Sequence, residues 1–450
     1  MSKEKKNLGT EPIYDARTLG LPRMLVLGLQ HMFAMFGATV LVPIIVRGYG
    51  LPLSIQTTLL FAGLGTLLFH LLTKFKVPAF LGSSFAFLGG FAAVANLDSG
   101  KYADMSGNDK LAYALGGIVI AGLLYVVLAL IIKLVGVRKV MRFLPPVVTG
   151  PMIILIGLIL APSAVTNASQ CWWLAALAVA VIIVCNIFGK GMIKIIPILM
   201  GVLVSYVVAL CFGMVQFDAV KEAGWLGVQQ FTFAKFDLTA ILVMAPIAIA
   251  TMMEHVGDIS AISATCGNNY IEDPGLHRTL LGDGLATSLA ALFGGPANTT
   301  YGENTGVLVL SRVYDPSVIR LAAVYAAVLS FVPKFAEVIS SIPTAVIGGV
   351  SFILYGMISA VGVRNVVENK VDFTKSRNLI IAAVILVSGL GFNSFGGLTF
   401  TIGNANITLT GLALAAILGI LLNAILPGND YVFGVDPSAD GAANLGRYDG

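Results

Sequence analysis

The chain contains 450 residues; 57% of them are hydrophobic, 11% are charged, and the formal net charge is +4. Soluble domains carry about a quarter charged residues, so this composition excludes an ordinary soluble domain and predicts a polytopic protein of a lipid bilayer. The basic residues follow the predicted topology without forming a patch, so we expect no nucleic-acid partner. The cysteines and histidines are scattered without metal-ligand spacing, so we expect no metal cofactor.

Apolar segments of about 20 residues recur along the whole chain, and each is long enough to cross a bilayer. They predict fourteen spans, near residues 24–46, 53–72, 78–96, 111–133, 144–161, 171–188, 192–213, 237–257, 277–294, 299–311, 317–336, 343–361, 378–396 and 407–426. The third and the tenth are predicted to be short or broken, because glycines lie inside them. Most Lys and Arg residues then fall on one side, and the positive-inside rule predicts that both termini are cytoplasmic.

The two interrupted spans occupy corresponding places in two sets of seven. One reads PAFLGSSFAFLGG from Pro78, and the other reads PANTTYGENTGVL from Pro296. A unit with an odd number of spans duplicates with inverted topology, and interrupted spans in equivalent positions of two halves indicate the binding site of a transporter. Irregular backbone at membrane depth is tolerated only where protein or a cavity covers it. Both stretches are therefore predicted to face a ligand.

Two carboxylates in the eighth span stand four residues apart. Glu254 and Asp258 would share one helix face, and a charge at the bilayer centre costs roughly 2.5–3.5 kcal/mol. Mutual repulsion favours a proton on one of them, which makes the pair a candidate for proton coupling. The alternative, for Asp258 above all but also for Glu254, is an ordinary hydrated carboxylate near the cytoplasmic mouth. His255 would point away from this face, so we expect it to make a buried structural hydrogen bond.

Glu303 lies in YGENTG, residues 301–306, and is predicted to open a short helix with free backbone N–H groups. Those N–H groups could face a ligand carbonyl while the carboxylate accepts from a ligand N–H. A planar lactam or imide, with N–H beside C=O, matches this alternation. The alternative is that Glu303 only caps the helix.

Other polar positions are weaker candidates. In the third span, Ser83, Ser84 and Phe85 would supply backbone N–H groups and an aromatic face, although small residues also serve helix packing. His31 in the first span is either part of the site or a buried, hydrogen-bonded structural histidine. Asp283 in LLGDGLAT is expected to cap a helix or bond across helices.

Six motifs of the chain are recognisable together. In order they are QHMFAMFGATVLVP (30–43), PAFLGSSFAF (78–87), EHVGD (254–258), DPGLHRTLLGDGLAT (273–287), NTTYGENTGVLVLSR (298–312) and GGVSFILYG (348–356). They resemble the nucleobase–ascorbate transporter family, and within it bacterial uracil permeases. The resemblance implies an all-α fold of fourteen segments in two inverted seven-span repeats, with segments 3 and 10 built from an extended piece and a half-helix. It also implies a homodimer in which a core domain moves against a gate domain, an elevator mechanism.

The domain limits implied by the resemblance follow the predicted spans. They are a cytoplasmic N-terminal tail 1–23, core spans 1–4 in 24–135, gate spans 5–7 in 136–236, core spans 8–11 in 237–340, gate spans 12–14 in 341–427, and a cytoplasmic C-terminal tail 428–450.

The resemblance also assigns roles by motif position. Glu254 and Glu303 match the two glutamates that bind the pyrimidine ring, and Phe85 and Gly302 match positions whose N–H groups bind its carbonyls. Residues that match lining or supporting positions are Ser84, Tyr301, Ser351 and Tyr355, and the first-span pair Gln30 and His31.

Two departures from the uracil permease pattern bear on the substrate. The uracil permease pattern has His at the position of Asp258, whereas purine-transporting relatives have Asp there. Those purine-transporting relatives, however, usually carry Gln where this chain has Glu303. An acceptor-only carboxylate suits the N–H edge of uracil, because Gln can also donate. We therefore predict a uracil:H⁺ symporter of the bacterial inner membrane, with Na⁺ coupling left open and a xanthine or uric acid permease as the alternative.

Two functions of other classes are less compatible with the sequence. A sulfate or bicarbonate exchanger on the same fold would place an anion among carboxylates, which repel it. A membrane-embedded enzyme would need a nucleophile or metal constellation, and none occurs in the sequence.

Overall fold

The computed structural model describes residues 11–98, 100–402, 405–428 and 431. The protein is mostly helical, at 73%. The helices are α1 (Leu21–Gly48), α2 (Ile55–Leu72), α3 (Leu88–Ala95), α4 (Gly107–Val135), α5 (Val137–Met141), α6 (Pro146–Ala168), α7 (Trp172–Phe188), α8 (Met192–Ile195), α9 (Pro197–Cys211), α10 (Asp218–Glu222), α11 (Leu238–Met244), α12 (Ile247–Cys266), α13 (Leu276–Leu292), α14 (Gly302–Ser311), α15 (Pro316–Leu329), α16 (Pro333–Ser340), α17 (Thr344–Glu368), α18 (Ser376–Phe395) and α19 (Gly411–Ile425). The strands are β1 (Leu81–Ser83), β2 (Asn298–Thr300), β3 (Leu398–Ile402) and β4 (Ala405–Leu409).

The multi-pass character predicted from composition is confirmed. In the described ranges, seven helical segments are long and apolar enough to cross a membrane, with α11 and α12 counted together as one (Leu238–Cys266). The number is eight if the bent pair α15 and α16 forms one span. Other predicted spans coincide with shorter apolar helices, such as α7, α9 and α19. The count of fourteen stays a prediction, as do the two tails, whose residues 1–10 and most of 429–450 lie outside the described residues.

Prolines divide three of the predicted continuous spans. The span expected at 192–213 begins as the short α8 and restarts at Pro197, and the span expected at 237–257 is interrupted at Pro246 between α11 and α12. Pro333 starts α16 after a bend of 89° from α15. Proline has no N–H to donate to a helix, which explains all three breaks. It also disfavours the helical conformation of the residue before it, and Ile196 and Val332 are accordingly non-helical.

The predicted start of the last span at residue 407 is wrong. Residues 405–409 form β4, which pairs antiparallel with β3 from Leu398↔Leu409 to Ile402↔Ala405. Alternating Thr and Ile residues in LTFTI and ANITL favour strands. Helix α19 begins only after Thr410, whose side chain accepts a hydrogen bond from the N–H of Ala413.

The two interrupted segments meet in the middle of the protein as a short antiparallel ladder. Strand β1 pairs with β2 in the register Leu81↔Thr300, Gly82↔Thr299 and Ser83↔Asn298, and both strands are buried. Each strand is followed by a short helix, α3 or α14. The backbone N–H and C=O groups of these non-helical residues form hydrogen bonds with the opposite strand. This pairing is how irregular backbone is accommodated in the buried interior of a membrane protein.

The helices pack in two groups, and the ladder lies against α1, α2, α12 and α13. In the first, α13 packs against α2 and α4, and α15 packs against α1 and α2. In the second, α17 packs against α6 and α7, and α18 packs against α6 and α19. Helix α12 contacts α4, α13 and α14 in the first group and also α6 and α19 in the second. The residues of α12 therefore lie where the two groups meet.

Candidate functional site

The carboxylates of α12 lie beside β2. Asp258 is 9% exposed, and its Oδ2 accepts a hydrogen bond from Oγ1 of Thr300 at 2.8 Å. Asp258 is therefore buried and hydrogen-bonded, and is not a hydrated group at the mouth of the protein. Glu254, one turn earlier, is half-buried, and its Oε2 is buried without a hydrogen-bond partner among the described residues.

Glu303 lies in the first turn of α14, as predicted. It is half-buried, and it is close enough to both Glu254 and Asp258 to interact with them electrostatically. Its carboxylate also approaches its own backbone N–H, so the capping role stays open. The structure thus brings the predicted carboxylates of the eighth and tenth spans together.

Backbone donors at the two strand ends are partly engaged. The N–H of Ser84 donates to the carbonyl of Ala297 at 2.8 Å, and the N–H of Tyr301 donates to the carbonyl of Phe80 at 3.0 Å. The prediction that Ser84 offers its N–H to a ligand is therefore wrong, because the ladder extends by one residue and uses that group. In the described part of the chain, no carbonyl accepts from the N–H of Phe85 or of Gly302. Gly302 is exposed, and a Cβ there would meet nothing within 4 Å.

The Tyr301 side chain belongs to the framework of the ladder. Its ring is 4% exposed, its hydroxyl donates to the carbonyl of Ser83 at 2.9 Å, and it lies 3.2 Å from Oγ of Ser83. Oγ of Ser83 donates in turn to the carbonyl of Thr39 at 2.9 Å. Tyr301 therefore fixes the two segments to each other and to α1, which corresponds to the supporting role among the two, lining or supporting, that the resemblance implied.

Gly82 gives a direct test of this framework. A Cβ at Gly82 would lie 2.3 Å from Cζ of Tyr301 and 2.8 Å from Oγ1 of Thr39, so we expect Gly82→Ala to push the ring out of its place. Overpacking of this kind costs about 1–3 kcal/mol of unfolding free energy. The melting temperature of the purified protein in detergent should fall accordingly. Gly89→Ala is the matched control, because a Cβ there meets nothing within 4 Å, and an equal loss in both variants would contradict the prediction.

The other predicted residues lie around these groups. The Phe85 ring packs edge-on against Tyr355 of α17 with centroids 5.8 Å apart, and Ser351 is buried on the same helix. His31 is buried on α1, and its carbonyl accepts from Nδ2 of Asn304 at 3.0 Å. His31 thus anchors α14, whereas Gln30 beside it is half-buried and makes no side-chain hydrogen bond among the described residues. A narrow crevice beside Phe85 runs between α3, Ile156 of α6 and α19.

Sequence reasoning missed three residues of this arrangement. Thr300 and Asn304 flank Glu303 in the YGENTG region, but only the pairing with Asp258 and His31 reveals what they do. Tyr125 of α4 is buried against His255, with ring centroids 6.4 Å apart. Nothing in the apolar run around Tyr125 could have indicated this contact.

His255 is buried, as predicted, and Asp283 faces it across two helices. Nδ1 of His255 on α12 lies 2.8 Å from Oδ2 of Asp283 on α13, and both side chains are fully buried. The distance is within hydrogen-bonding range, but the two groups are not aligned as a hydrogen bond, and neither side chain has another hydrogen-bond partner in the described ranges. The hydrogen bond predicted for His255 therefore stays a prediction.

The sequence model of a permease family matches residues 22–396, which is most of this chain. This chain belongs to that family, the nucleobase–ascorbate transporters. It is therefore a membrane transporter rather than an enzyme. The resemblance drawn from six motifs is confirmed.

Individual relatives agree with this membership. The permease is 46% identical over 431 residues to a uracil permease of Bacillus caldolyticus, which covers 92% of this chain and 94% of the relative. It is 38% identical over 410 residues to the uracil permease of Escherichia coli, covering 89% and 90%, and 39% identical over 414 residues to the E. coli putative pyrimidine permease RutG, covering 89% of each.

Solved structures share the fold of this permease. The transmembrane domain of the cyanobacterial bicarbonate transporter BicA superimposes with a TM-score of 0.59 at 14% identity, over 92% of this chain and 99% of that one. The anion transporter SLC26A9 superimposes with a TM-score of 0.64 at 10% identity, over 92% and 66%. At these identities the likeness concerns the fold alone.

Proposed function

We propose that this permease is a proton-coupled importer of uracil in the bacterial cytoplasmic membrane. The observation that carries the proposal is the arrangement of Glu254 and Glu303 with the N–H groups of Phe85 and Gly302, which have no carbonyl acceptor among the described residues. Uracil presents ring N–H groups beside carbonyls, so it can donate to the carboxylates and accept from the backbone. The relatives named uracil permease support the same substrate.

The architecture proposed for transport has fourteen segments in two inverted repeats of seven, with both termini cytoplasmic. Spans 1–4 and 8–11 form the core, within residues 24–135 and 237–340, and spans 5–7 and 12–14 form the gate, within 136–236 and 341–427. The separate packing of α1, α2, α4, α13 and α15 from α6, α7, α17, α18 and α19 supports this division. In an elevator mechanism the core carries the substrate past the gate, and two copies of the chain pair as a homodimer.

Proton coupling is assigned to Glu254 and Asp258. The acids Glu254, Asp258 and Glu303 lie close together in a buried region, and negative charges there repel one another. Protonation of this cluster reduces the net charge that the core must carry across the bilayer. Sodium is the alternative coupling ion, and no further cofactor is proposed.

The second candidate substrate is a purine such as xanthine or uric acid. The observation that favours it is Asp258, which the uracil permease pattern replaces with His. Its bond to Thr300 turns one carboxylate oxygen toward the backbone frame, so Asp258 influences the site through β2. Anion transport, which the names of structural neighbours give for those proteins, is disfavoured here because the carboxylates repel an anion.

A ligand panel tests the proposed substrate. The purified protein is heated alone and with uracil, xanthine, uric acid or sulfate, each at the same concentration. A ligand present at a hundred times its Kd stabilises the folded state by about 2.7 kcal/mol, so uracil should raise the melting temperature. Stabilisation by xanthine or uric acid but not by uracil would overturn uracil as the substrate in favour of a purine. Stabilisation by sulfate alone would overturn the nucleobase proposal.

A further inference from the structure

The motif Gly282-Asp283-Gly284 of α13 builds an aromatic cage around His255. A Cβ at Gly282 would lie 2.8 Å from Cδ2 of Phe69, and a Cβ at Gly284 would lie 2.4 Å from Cβ of Tyr125. The two glycines therefore allow α2 and α4 to approach α13 on both sides of Asp283. Phe69 and Tyr125 each place their ring centroid 6.4 Å from the imidazole of His255, edge-on, at 71° and 79°.

The imidazole and the carboxylate meet inside this cage. Nδ1 of His255 lies 2.8 Å from Oδ2 of Asp283, and both side chains have no exposed surface. Each side chain is the buried polar neighbour of the other, so removing one would leave the other buried without it. The pair is therefore costly to break.

The pair lies next to the candidate site in the sequence of α12. His255 follows Glu254 in α12, and successive residues of a helix point about 100° apart. A contact that fixes the direction of His255 therefore also fixes the direction of Glu254. The titratable groups that act on the pair are Asp283 itself, Tyr125 on α4, and Glu254 and Asp258 on α12.

We propose that His255 and Asp283 form a positioning pair for Glu254. The pair pins α12 to α13 and holds the rotation of α12 at which Glu254 faces the substrate. It does not contact the substrate. This inference rests on the proposed function, because it assigns a role in uracil binding by Glu254.

The test compares uracil affinity and its dependence on pH in purified wild-type protein, His255→Gln, Asp283→Asn and the double variant. Each single variant leaves one member of the pair without its native partner. We therefore expect each to weaken uracil binding about tenfold and to shift the pH dependence of binding. The double variant replaces both members of the contact together, so its loss should be clearly smaller than the product of the two single losses.

Ser288→Ala is the matched control on the same helix. Oγ of Ser288 donates to the carbonyl of Val119 at 2.9 Å and so joins α13 to α4 without touching the pair. This variant should lower the melting temperature while uracil affinity and its pH dependence stay as in the wild type. Folded single variants with wild-type affinity and pH dependence would overturn the inference, and so would losses that multiply in the double variant. A wild-type protein that does not bind uracil would instead overturn the proposed function.

Discussion

Glu303→Gln should abolish most uracil binding. The side chain keeps its size, but the acceptor-only carboxylate becomes an amide that accepts at one atom and donates at the other. A hydrogen bond to a charged group contributes about 1.5–3 kcal/mol, so Kd should rise by a factor of roughly ten to a hundred. Isothermal titration of the purified variant with uracil measures this change. Xanthine affinity should fall less or rise, because an amide at this position is the purine-transporter pattern.

Glu272→Gln is the control for this charge change. Glu272 is exposed between α12 and α13, outside the candidate site, so the variant should bind uracil as the wild type does. If the Glu303→Gln protein is folded and binds uracil with unchanged Kd, Glu303 does not contact the substrate. The remaining role for its carboxylate would then be capping of α14, which melting temperatures of the two variants would reveal.

Glu254→Gln should separate substrate exchange from proton-driven uptake. Glutamine cannot take up and release a proton. The Glu254→Gln variant is therefore permanently neutral at this position, like the wild-type core domain with Glu254 protonated. In proteoliposomes we expect uracil-driven proton uptake to fall at least tenfold, the size of a change of about 1.4 kcal/mol. Counterflow of labelled uracil against unlabelled uracil needs no net proton movement and should fall much less.

Asp258→Asn distinguishes the two members of the proposed coupling pair. An amide oxygen can still accept from Thr300, so the bond that ties α12 to β2 survives while the titratable group is lost. A loss of proton uptake in Asp258→Asn alone, with Glu254→Gln coupled as in the wild type, would assign the proton to Asp258. Proton uptake that persists in both variants would contradict this coupling site.

The interruption of the two short segments could be read from the sequence because its cause is local. Pro78 and Pro296 precede polar, glycine-containing stretches, and a proline cannot donate to a helix. The spacing of Glu254 and Asp258 also follows from helix geometry alone, and both lie on α12. The division of three spans at Pro197, Pro246 and Pro333 had the same kind of local signal, but hydropathy averaged over about 20 residues concealed it.

The sequence predicted most of the residues of the candidate site, but it did not predict which contacts they make. Ser84 and Phe85 are neighbours in the sequence, yet the ladder engages the N–H of Ser84 with Ala297 and leaves that of Phe85 without a carbonyl acceptor. Tyr301 stands beside Glu303, but its hydroxyl bonds to Ser83. These differences depend on the register between β1 and β2, and that register cannot be predicted from the sequence alone.

The sequence by itself determined that the protein is a polytopic membrane protein, where its two segments are interrupted, and that Glu254 and Asp258 lie one turn apart on the same helix. These properties follow from hydropathy, proline and helix periodicity, which act over a few neighbouring residues. The tertiary structure decided that Thr300 bonds Asp258, that Asn304 bonds His31, and that Asp283 meets His255. The two members of each pair are far apart in the sequence. A buried polar group needs a hydrogen-bonding partner, and which residue can be that partner depends on how the helices pack.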